Sequence, residues 1–367
     1  MKLNVSQEQL IEAVKIAEKA SGKNLTLPAL NCVLLSASKN QISIKATNLD
    51  LGININIPAK INEDGVVAVP GHILLNTISS LYEGKTINLS ISGGNLVVKT
   101  PNGTTTIKAV PHEDFPTIPH PEGAKNFHLP KEVLLTGLKS VWYSASLSSI
   151  KPELSSVYVY PHDKKIYFVA TDSFRLAEKA VPVKGLVPDF DHILIPFRNI
   201  VEIIRVLEFA EGDVLVSIAQ NQISFSYGST YLVSRLIDGS FPDYKQIISK
   251  EVTTEAVVLR QDFINVLKKT TIFSDSFNQI RFKIEPEKKM FVISSHNNDV
   301  GETIDNLNAA LTGDSLEISF NHKYIIDCFQ SLNADSVSLS FGGLSRPMVI
   351  RGVADNSFLY LVMPMNK

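Results

Sequence analysis

The chain states nearly the same pattern three times, and this constrains its fold more than any other feature. Helical periodicity begins near Gln7, again near Lys131 and again near Gln261. Leu10, Ile11 and Val14 recur 124 residues on as Leu134, Leu135 and Leu138, and after a further 129 as Phe263, Ile264 and Leu267. Their i, i+1, i+4 spacing marks one buried helix face. The opposite face recurs too. Glu8, Glu12 and Lys15 correspond to Glu132, Thr136 and Lys139, then to Gln261, Asn265 and Lys268. A second helix follows in each repeat: Leu74, Leu75, Ile78 and Leu81 become Ile200, Val201, Ile204 and Leu207, then Ile325, Ile326, Phe329 and Leu332. Its polar face reads His72, Asn76 and Ser79, then Arg198, Glu202 and Arg205, then Lys323, Asp327 and Gln330. Three weakly similar units of about 120 residues each suggest three domains of one architecture.

Between the helices the chain alternates like half-buried strands, as in 41–46, 51–57, 86–91, 165–170, 213–218 and 336–341. Turn residues separate them at Gly93-Gly94-Asn95, Asn102-Gly103, Gln220-Asn221 and Gly342-Gly343. The expected fold class is α+β, each repeat holding two helices and antiparallel sheets. Asp114-Phe115-Pro116 and Ser240-Phe241-Pro242-Asp243-Tyr244 close the first and second repeats, so domains are expected over 1–122, 123–250 and 251–367. The apolar end, Leu361 to Met365, reads as a last strand or a binding edge.

Composition limits the function. The 367 residues are 44% hydrophobic and 20% charged, enough for ordinary cores. A formal net charge of −2 confines any nucleic-acid contact to local basic faces. Cys32 and Cys328 sit in apolar contexts and read as buried, reduced thiols. Met1-Lys-Leu-Asn runs directly towards an amphipathic helix, with no leader expected, and no stretch of about 20 apolar residues predicts a membrane span. Catalytic signatures are missing: no Walker A loop, no Gly-x-Gly-x-x-Gly and no Gly-x-Ser-x-Gly. His112-Glu113-Asp114 lacks the spacing of a closed metal site and reads as a solvated turn; Asp189 and Asp191 read as a surface loop. No metal and no cofactor is expected, and a geometric rather than a catalytic role follows.

Specific motifs then carry a resemblance. They are Leu27-Pro28-Ala29-Leu30, Ala46-Thr47-Asn48-Leu49-Asp50, Ala170-Thr171-Asp172-Ser173-Phe174-Arg175-Leu176, the segment Leu236 to Tyr244, and Val362-Met363-Pro364-Met365. From Met1 to Lys367 the chain resembles the bacterial sliding clamps, the beta subunits of DNA polymerase III. The resemblance implies a DNA clamp fold: a head-to-tail homodimer closing a ring, with sheets outside, helices lining the hole and duplex DNA inside. It implies a processivity factor for DNA replication, not an enzyme. The expected partners are duplex DNA without sequence preference, a replicative DNA polymerase, a clamp-loader ATPase and repair proteins carrying clamp-binding peptides. The expected place is the bacterial cytoplasm, at the nucleoid. An unrelated repeat scaffold and an unrecognised enzyme are the competing classes.

Residues are assigned on the same footing. A sliding protein must hold phosphate without reading bases. The candidates for DNA are Lys15, Lys19, Lys23, Lys139, Arg198, Arg205, Lys268 and Lys323, with Glu8, Glu12, Glu132, Glu202 and Asp327 moderating the attraction. The resemblance places a partner-peptide pocket between the second and third domains, at Leu154, Thr171, Ser173, Phe174, Arg175, Leu176, Pro242, Ile247, Pro347, Val362, Met363, Pro364 and Met365. Ser173-Phe174 departs from the Gly-His or Gly-Tyr of many relatives, and Met365-Asn366-Lys367 from an Arg-Leu ending. At the dimer interface it places Thr105 and Ile107 of one chain against Ile272 and Phe273 of the other.

Overall fold

The computed structural model describes residues 1–22, 27–81, 86–101, 103–185, 188–248 and 251–365. Six α-helices occur among them: α1 (Gln7–Ala17), α2 (Gly71–Ser79), α3 (Lys131–Val141), α4 (Phe197–Leu207), α5 (Arg260–Ile272) and α6 (His322–Asp327). The remaining regular structure is antiparallel strand with short 3-10 turns. The predicted strands form as 41–47, 51–63, 86–92, 165–171, 213–219 and 336–341. The amino-terminal residues differ from expectation. Lys2–Ser6 is a strand, pairing with Leu51–Glu63 on one side and Thr86–Ser92 on the other, before Ser6 caps α1. Its alternation places Leu3 and Val5 in the core.

The chain divides into two compact units, residues 1–135 with 198–236, and residues 136–197 with 237–367. The first unit holds a twelve-stranded sheet, the second a nine-stranded and a four-stranded sheet. The middle repeat supplies strands to both units. Thr230–Arg235 pairs with Leu51–Glu63 of the first repeat, and Arg175–Pro182 pairs with Asp355–Val362 of the third. Hydrogen-bonded ladders thus continue across the repeat junctions.

The helices obey the repeated pattern position by position. Leu10, Leu134 and Phe263 are buried, Ile11, Leu135 and Ile264 half-buried, and Val14, Leu138 and Leu267 buried. Glu8, Glu12, Glu132, Thr136, Gln261 and Asn265 are exposed. A further repeat lies in the caps. The first residue of each leading helix donates to carbonyls at the end of the second helix. Gln7 Nε2 reaches the Ile78 and Leu81 carbonyls at 2.9 and 3.2 Å, Lys131 Nζ the Ala210 carbonyl, and Arg260 Nη2 the Phe329 carbonyl at 2.8 Å. Carbonyls at a helix end lack intrahelical partners, and a cation there also meets the negative end of the dipole. In the second unit Gly137 lets α3 approach the sheet: a Cβ there would lie 2.2 Å from the Phe168 ring.

Candidate nucleic-acid and peptide interfaces

The first unit carries Lys15, Lys19, Arg198 and Arg205, and the second carries Lys139, Lys268 and Lys323. Lys23 lies outside the described residues. Lys15, Lys139 and Lys268 are exposed, one per leading helix, at equivalent positions. Lys15 Nζ lies 5.8 Å from the centre of the Phe209 ring. Lys19 sits 3.7 Å from Glu18, and Arg205 donates to Glu202 at 2.7 Å, so part of their charge is balanced locally. Arg198 and Lys323 are exposed at the start of α4 and α6.

All thirteen peptide-pocket candidates fall in the second unit. Thr171 to Arg175 form a turn stitched by their own side chains. Thr171 Oγ1 donates to the Arg175 carbonyl at 2.6 Å and accepts the Ser173 N–H at 3.2 Å. Asp172 Oδ1 accepts the N–H groups of Phe174 and Arg175 at 2.9 and 3.0 Å. Ser173 has φ +78°, a left-handed conformation that favours glycine, so a serine there costs about 1 kcal/mol. The turn leaves Phe174 60% exposed.

Strand pairing joins this turn to the carboxy-terminal segment. Arg175 stands opposite Val362 and Leu176 opposite Leu361, while Met348, next to the buried Pro347, pairs with Val362. The Met363 N–H donates to the Phe174 carbonyl at 2.8 Å, and the Met365 N–H to the Ser319 carbonyl at 2.8 Å. Met363, Pro364 and Met365 are half-buried. Leu176 is buried in a cluster with Val169, Tyr244, Val349, Leu359 and Leu361. Tyr244 belongs to the linker that carries Pro242 and Ile247, both exposed. Its hydroxyl donates to Glu178 and lies 2.8 Å from that of Tyr160, and Phe241 stacks on Tyr158 with ring centres 4.7 Å apart. Burial pushes the Tyr160 hydroxyl up to about 12, and burial followed by the Glu178 charge pushes Tyr244 higher, so both stay protonated as donors. Leu154 is buried at the end of a loop whose Leu147 and Ile150 are 79% and 86% exposed.

Arg175 ties the turn to α6. Its Nε donates to Asp172 at 2.9 Å, its Nη1 donates to Asp327 of α6, and its guanidinium lies 4.7 Å from the Tyr324 ring centre. Burial opposes its charge, but Tyr360, Asp327 and Asp172 together hold it more firmly protonated than usual. The side chain braces the turn against α6. Tyr324, Tyr244 and Glu178 are supports that the sequence reading did not assign, and Asp327, read there only as a charge moderating the attraction to DNA, is a fourth. Of these, only Tyr244 lay in a recognised motif.

The interface candidates separate. Thr105 is exposed on Gly103–Ile107, the end strand of the twelve-stranded sheet, but Ile107 is only 4% exposed and packs within its own unit. Alternation on an edge strand fixes two faces without saying which one is covered. In the second unit Ile272 is 68% exposed at the end of α5 and Phe273 half-buried. Phe277 at 69% and Ile304 at 66% are further exposed apolar residues there, Ile304 on the edge strand Gly301–Asn306 of the four-stranded sheet. The sequence reading missed both.

Among the described residues no cluster of His, Cys, Asp or Glu suits a metal ion, and no helix is long and apolar enough to cross a membrane. Cys32 and Cys328 are buried, and burial raises the Cys32 thiol to about 11.

Comparison with known proteins agrees with this architecture. Models of the DNA polymerase III beta subunit match in chain order: the N-terminal domain over residues 1–119, the central domain over 128–243 and the C-terminal domain over 245–366. The beta sliding clamps of Synechococcus elongatus and Synechocystis are 25% and 26% identical, each alignment covering 100% of this chain and 99% of the relative. Among solved structures, the Bacillus subtilis sliding clamp superposes with a TM-score of 0.94 at 22% identity, covering 100% of this chain and 99% of that one. The Bartonella birtlesii clamp, solved bound to griselimycin, gives 0.93 at 27% identity with both chains fully covered. The chain belongs to the DNA polymerase III beta subunit family, the bacterial sliding clamps, and has the DNA clamp fold. Members of this family are processivity factors without catalytic activity of their own.

Proposed function

We propose that two copies of this chain close head to tail into a ring around duplex DNA, and that the ring tethers the replicative polymerase to its template. The observation that carries the reading is the threefold helix pattern, in which α1, α3 and α5 bury equivalent apolar positions and expose a lysine at equivalent sites. Lys15, Lys139 and Lys268 then face phosphate, with Lys19, Lys23, Arg198, Arg205 and Lys323 adding to a weak, sequence-independent field. The domains are taken as 1–122, 123–250 and 251–367. Enclosure rather than affinity retains the DNA.

The cleft of the second unit serves partner peptides. Phe174, Pro242, Ile247, Met363 and Met365 form its accessible wall over a floor of Leu176 and Val362, and Met suits a surface that repacks for different ligands. The polymerase, a clamp-loader ATPase and repair proteins compete for it in the cytoplasm. At the ring joints the edge strand bearing Thr105 meets the surface of Ile272, Phe273, Phe277 and Ile304, which covers otherwise open sheet edges. Ile107 backs that strand from inside.

Native mass tests the joint. A closed dimer has about 81 kDa, twice the 40.4 kDa chain. Ile272→Ala with Phe273→Ala should give monomers, because truncating buried interfacial side chains costs about 2–5 kcal/mol each. A variant still dimeric at nanomolar concentration would place the joint elsewhere.

A further inference from the structure

The linker that walls the cleft of the second unit is hydrogen-bonded to its sheet through one side chain. Its ends are fixed by backbone: the Ile237 N–H donates to the Leu194 carbonyl at 2.9 Å, and the Thr253 N–H to the Phe341 carbonyl at 2.9 Å. Between them, over residues 238–248, the Tyr244 hydroxyl alone makes hydrogen bonds to the sheet, to Glu178 and Tyr160. The other hydrogen bonds of this stretch close on the stretch itself. The Tyr244 N–H meets the Pro242 carbonyl at 2.7 Å, and Gln246 Nε2 meets Asp243 at 2.8 Å. Tyr244 is 5% exposed and packs in the cluster that holds Leu176, the floor of the cleft. It also begins the single 3-10 turn Tyr244–Ile247. Pro242, two residues before it, and Ile247, three after it, are both exposed. The seat of Tyr244 therefore sets the height of both wall residues above Leu176.

That seat rests on a carboxylate in an apolar row. Glu178 stands between Val169 and Leu359 across its two neighbouring strands, and both of these are buried. Its carboxylate has the Tyr244 hydroxyl as partner and no ion pair among the described residues. A half-buried charge among aliphatic side chains costs solvation, and a hydrogen bond to it offsets that cost. A carboxylate only accepts, so the single Tyr244 proton goes to Glu178, and the Tyr160 hydroxyl, 2.8 Å from that of Tyr244, donates in turn. A hydrogen bond to an ionised acceptor is about twice as strong as a neutral one. The remaining holds on this stretch are ring contacts. Phe241 stacks on Tyr158 with centres 4.7 Å apart, and Lys245 Nζ lies 5.5 Å from the Tyr160 ring centre. They keep the linker on the sheet but allow it to slide, because such contacts lack the direction of a hydrogen bond.

We propose that Glu178 and Tyr244 are positioning residues for the peptide cleft, the bond between them holding the linker where Pro242 and Ile247 meet a ligand lying over Leu176. Both act through the linker and not by contact with the ligand. The inference rests on reading the second unit's cleft as a peptide site.

The test uses the full-length chain with labelled isoleucine methyls and the probe fluorescein-Ala-Leu-Ala-Leu-Phe-amide. Tyr244→Phe removes the donor, Glu178→Ala removes the acceptor, and Glu178→Gln keeps an uncharged acceptor. The expected result is a Kd about fivefold weaker for Tyr244→Phe and for Glu178→Ala, part of the worth of a charged hydrogen bond, and within about twofold of the parent for Glu178→Gln. In an Ile247→Ala background, where the positioned contact is already gone, Tyr244→Phe should cost less than about twofold; a purely structural role would add its whole effect. In the ligand-free chain, Tyr244→Phe should displace the Ile247 methyl signal and leave that of Ile280, buried in the four-stranded sheet, in place. Glu178→Ala, a change at a half-buried strand position, carries the same measurements if Tyr244→Phe misfolds. An unmoved Ile247 methyl, a Kd within about twofold of the parent in both variants, or the same fivefold loss in the Ile247→Ala background overturns the proposal. A parent chain that does not bind the probe overturns the reading of the cleft instead. A displaced Ile247 methyl in that case leaves the bond standing as what positions the linker.

Discussion

Phe174→Ala separates ligand contact from fold support in the proposed cleft. An aromatic side chain offers about 200 Å² of surface. At 60% exposure, about 120 Å² of Phe174 remains for a ligand to cover. Covered completely, that area is worth about 3 kcal/mol at 25 cal/mol per Å². A wall residue covered by half contributes about 1.5 kcal/mol, or tenfold in Kd. The substitution should leave stability within about 0.5 kcal/mol, because the ring is exposed and the turn's hydrogen bonds use the backbone of residue 174. Leu176→Ala lacks this clarity: Leu176 is 1% exposed, and its truncation costs about 2–5 kcal/mol of fold before any ligand is added. Fluorescence anisotropy with a labelled peptide bearing Leu and Phe anchors measures Kd, and a thermal melt checks the fold. The expected outcome is an unchanged melt with a Kd about tenfold weaker. A Kd within twofold of the parent would show that Phe174 is not a wall of the cleft. Phe174→His should change peptide preference without abolishing binding.

Replacing Lys15, Lys139 and Lys268 together with Glu should impair loading onto DNA while the circular dichroism spectrum is retained. If each contacts one phosphate, the slope of log K against log salt should fall by about 2.7 per chain, and an unchanged slope would place these lysines away from DNA. Gly137→Ala should destabilise the protein by at least about 1–3 kcal/mol in a denaturant melt, since its methyl must displace the Phe168 ring; a neutral result would mean that α3 does not approach the sheet so closely. His322 is buried, and its pKa is lowered by burial and then by Lys323, against the opposing pull of Asp275. A depressed histidine contributes stability above its unfolded value of about 6.5 that is lost as pH falls through that value towards the folded pKa. His322→Gln should flatten the decline in melting temperature below pH about 6.5, and an unaltered pH profile would assign that decline to other groups.

The repeat was legible because burial imposes it. Leu10, Leu134 and Phe263 differ in shape but each must leave water, so apolar character recurs at fixed spacing. The capping of α2, α4 and the end of the third repeat's second helix was not legible. Gln7, Lys131 and Arg260 share only a long donor side chain, a property that no periodicity reports. Arg175 was recognised by its motif, yet its partner Asp327 lies 152 residues away and on a helix face marked only as polar. The sharing of the middle repeat between two units was likewise hidden. The pairing of Leu51–Glu63 with Thr230–Arg235 is a matter of long-range register, while each strand alone shows ordinary alternation. In the cleft, the turn Thr171 to Arg175 was visible as a motif, but the meaning of Ser173 required its positive φ.

Retention on DNA of different topology tests enclosure directly. The chain is loaded with a clamp-loader ATPase and ATP onto a nicked circular plasmid, separated from free protein by gel filtration, and the plasmid is then cut once. A ring around the duplex stays with the circle through high-salt washing and leaves when the circle becomes linear. Equal retention on circular and linear DNA, or loss from the intact circle, would contradict a topological link between this chain and DNA.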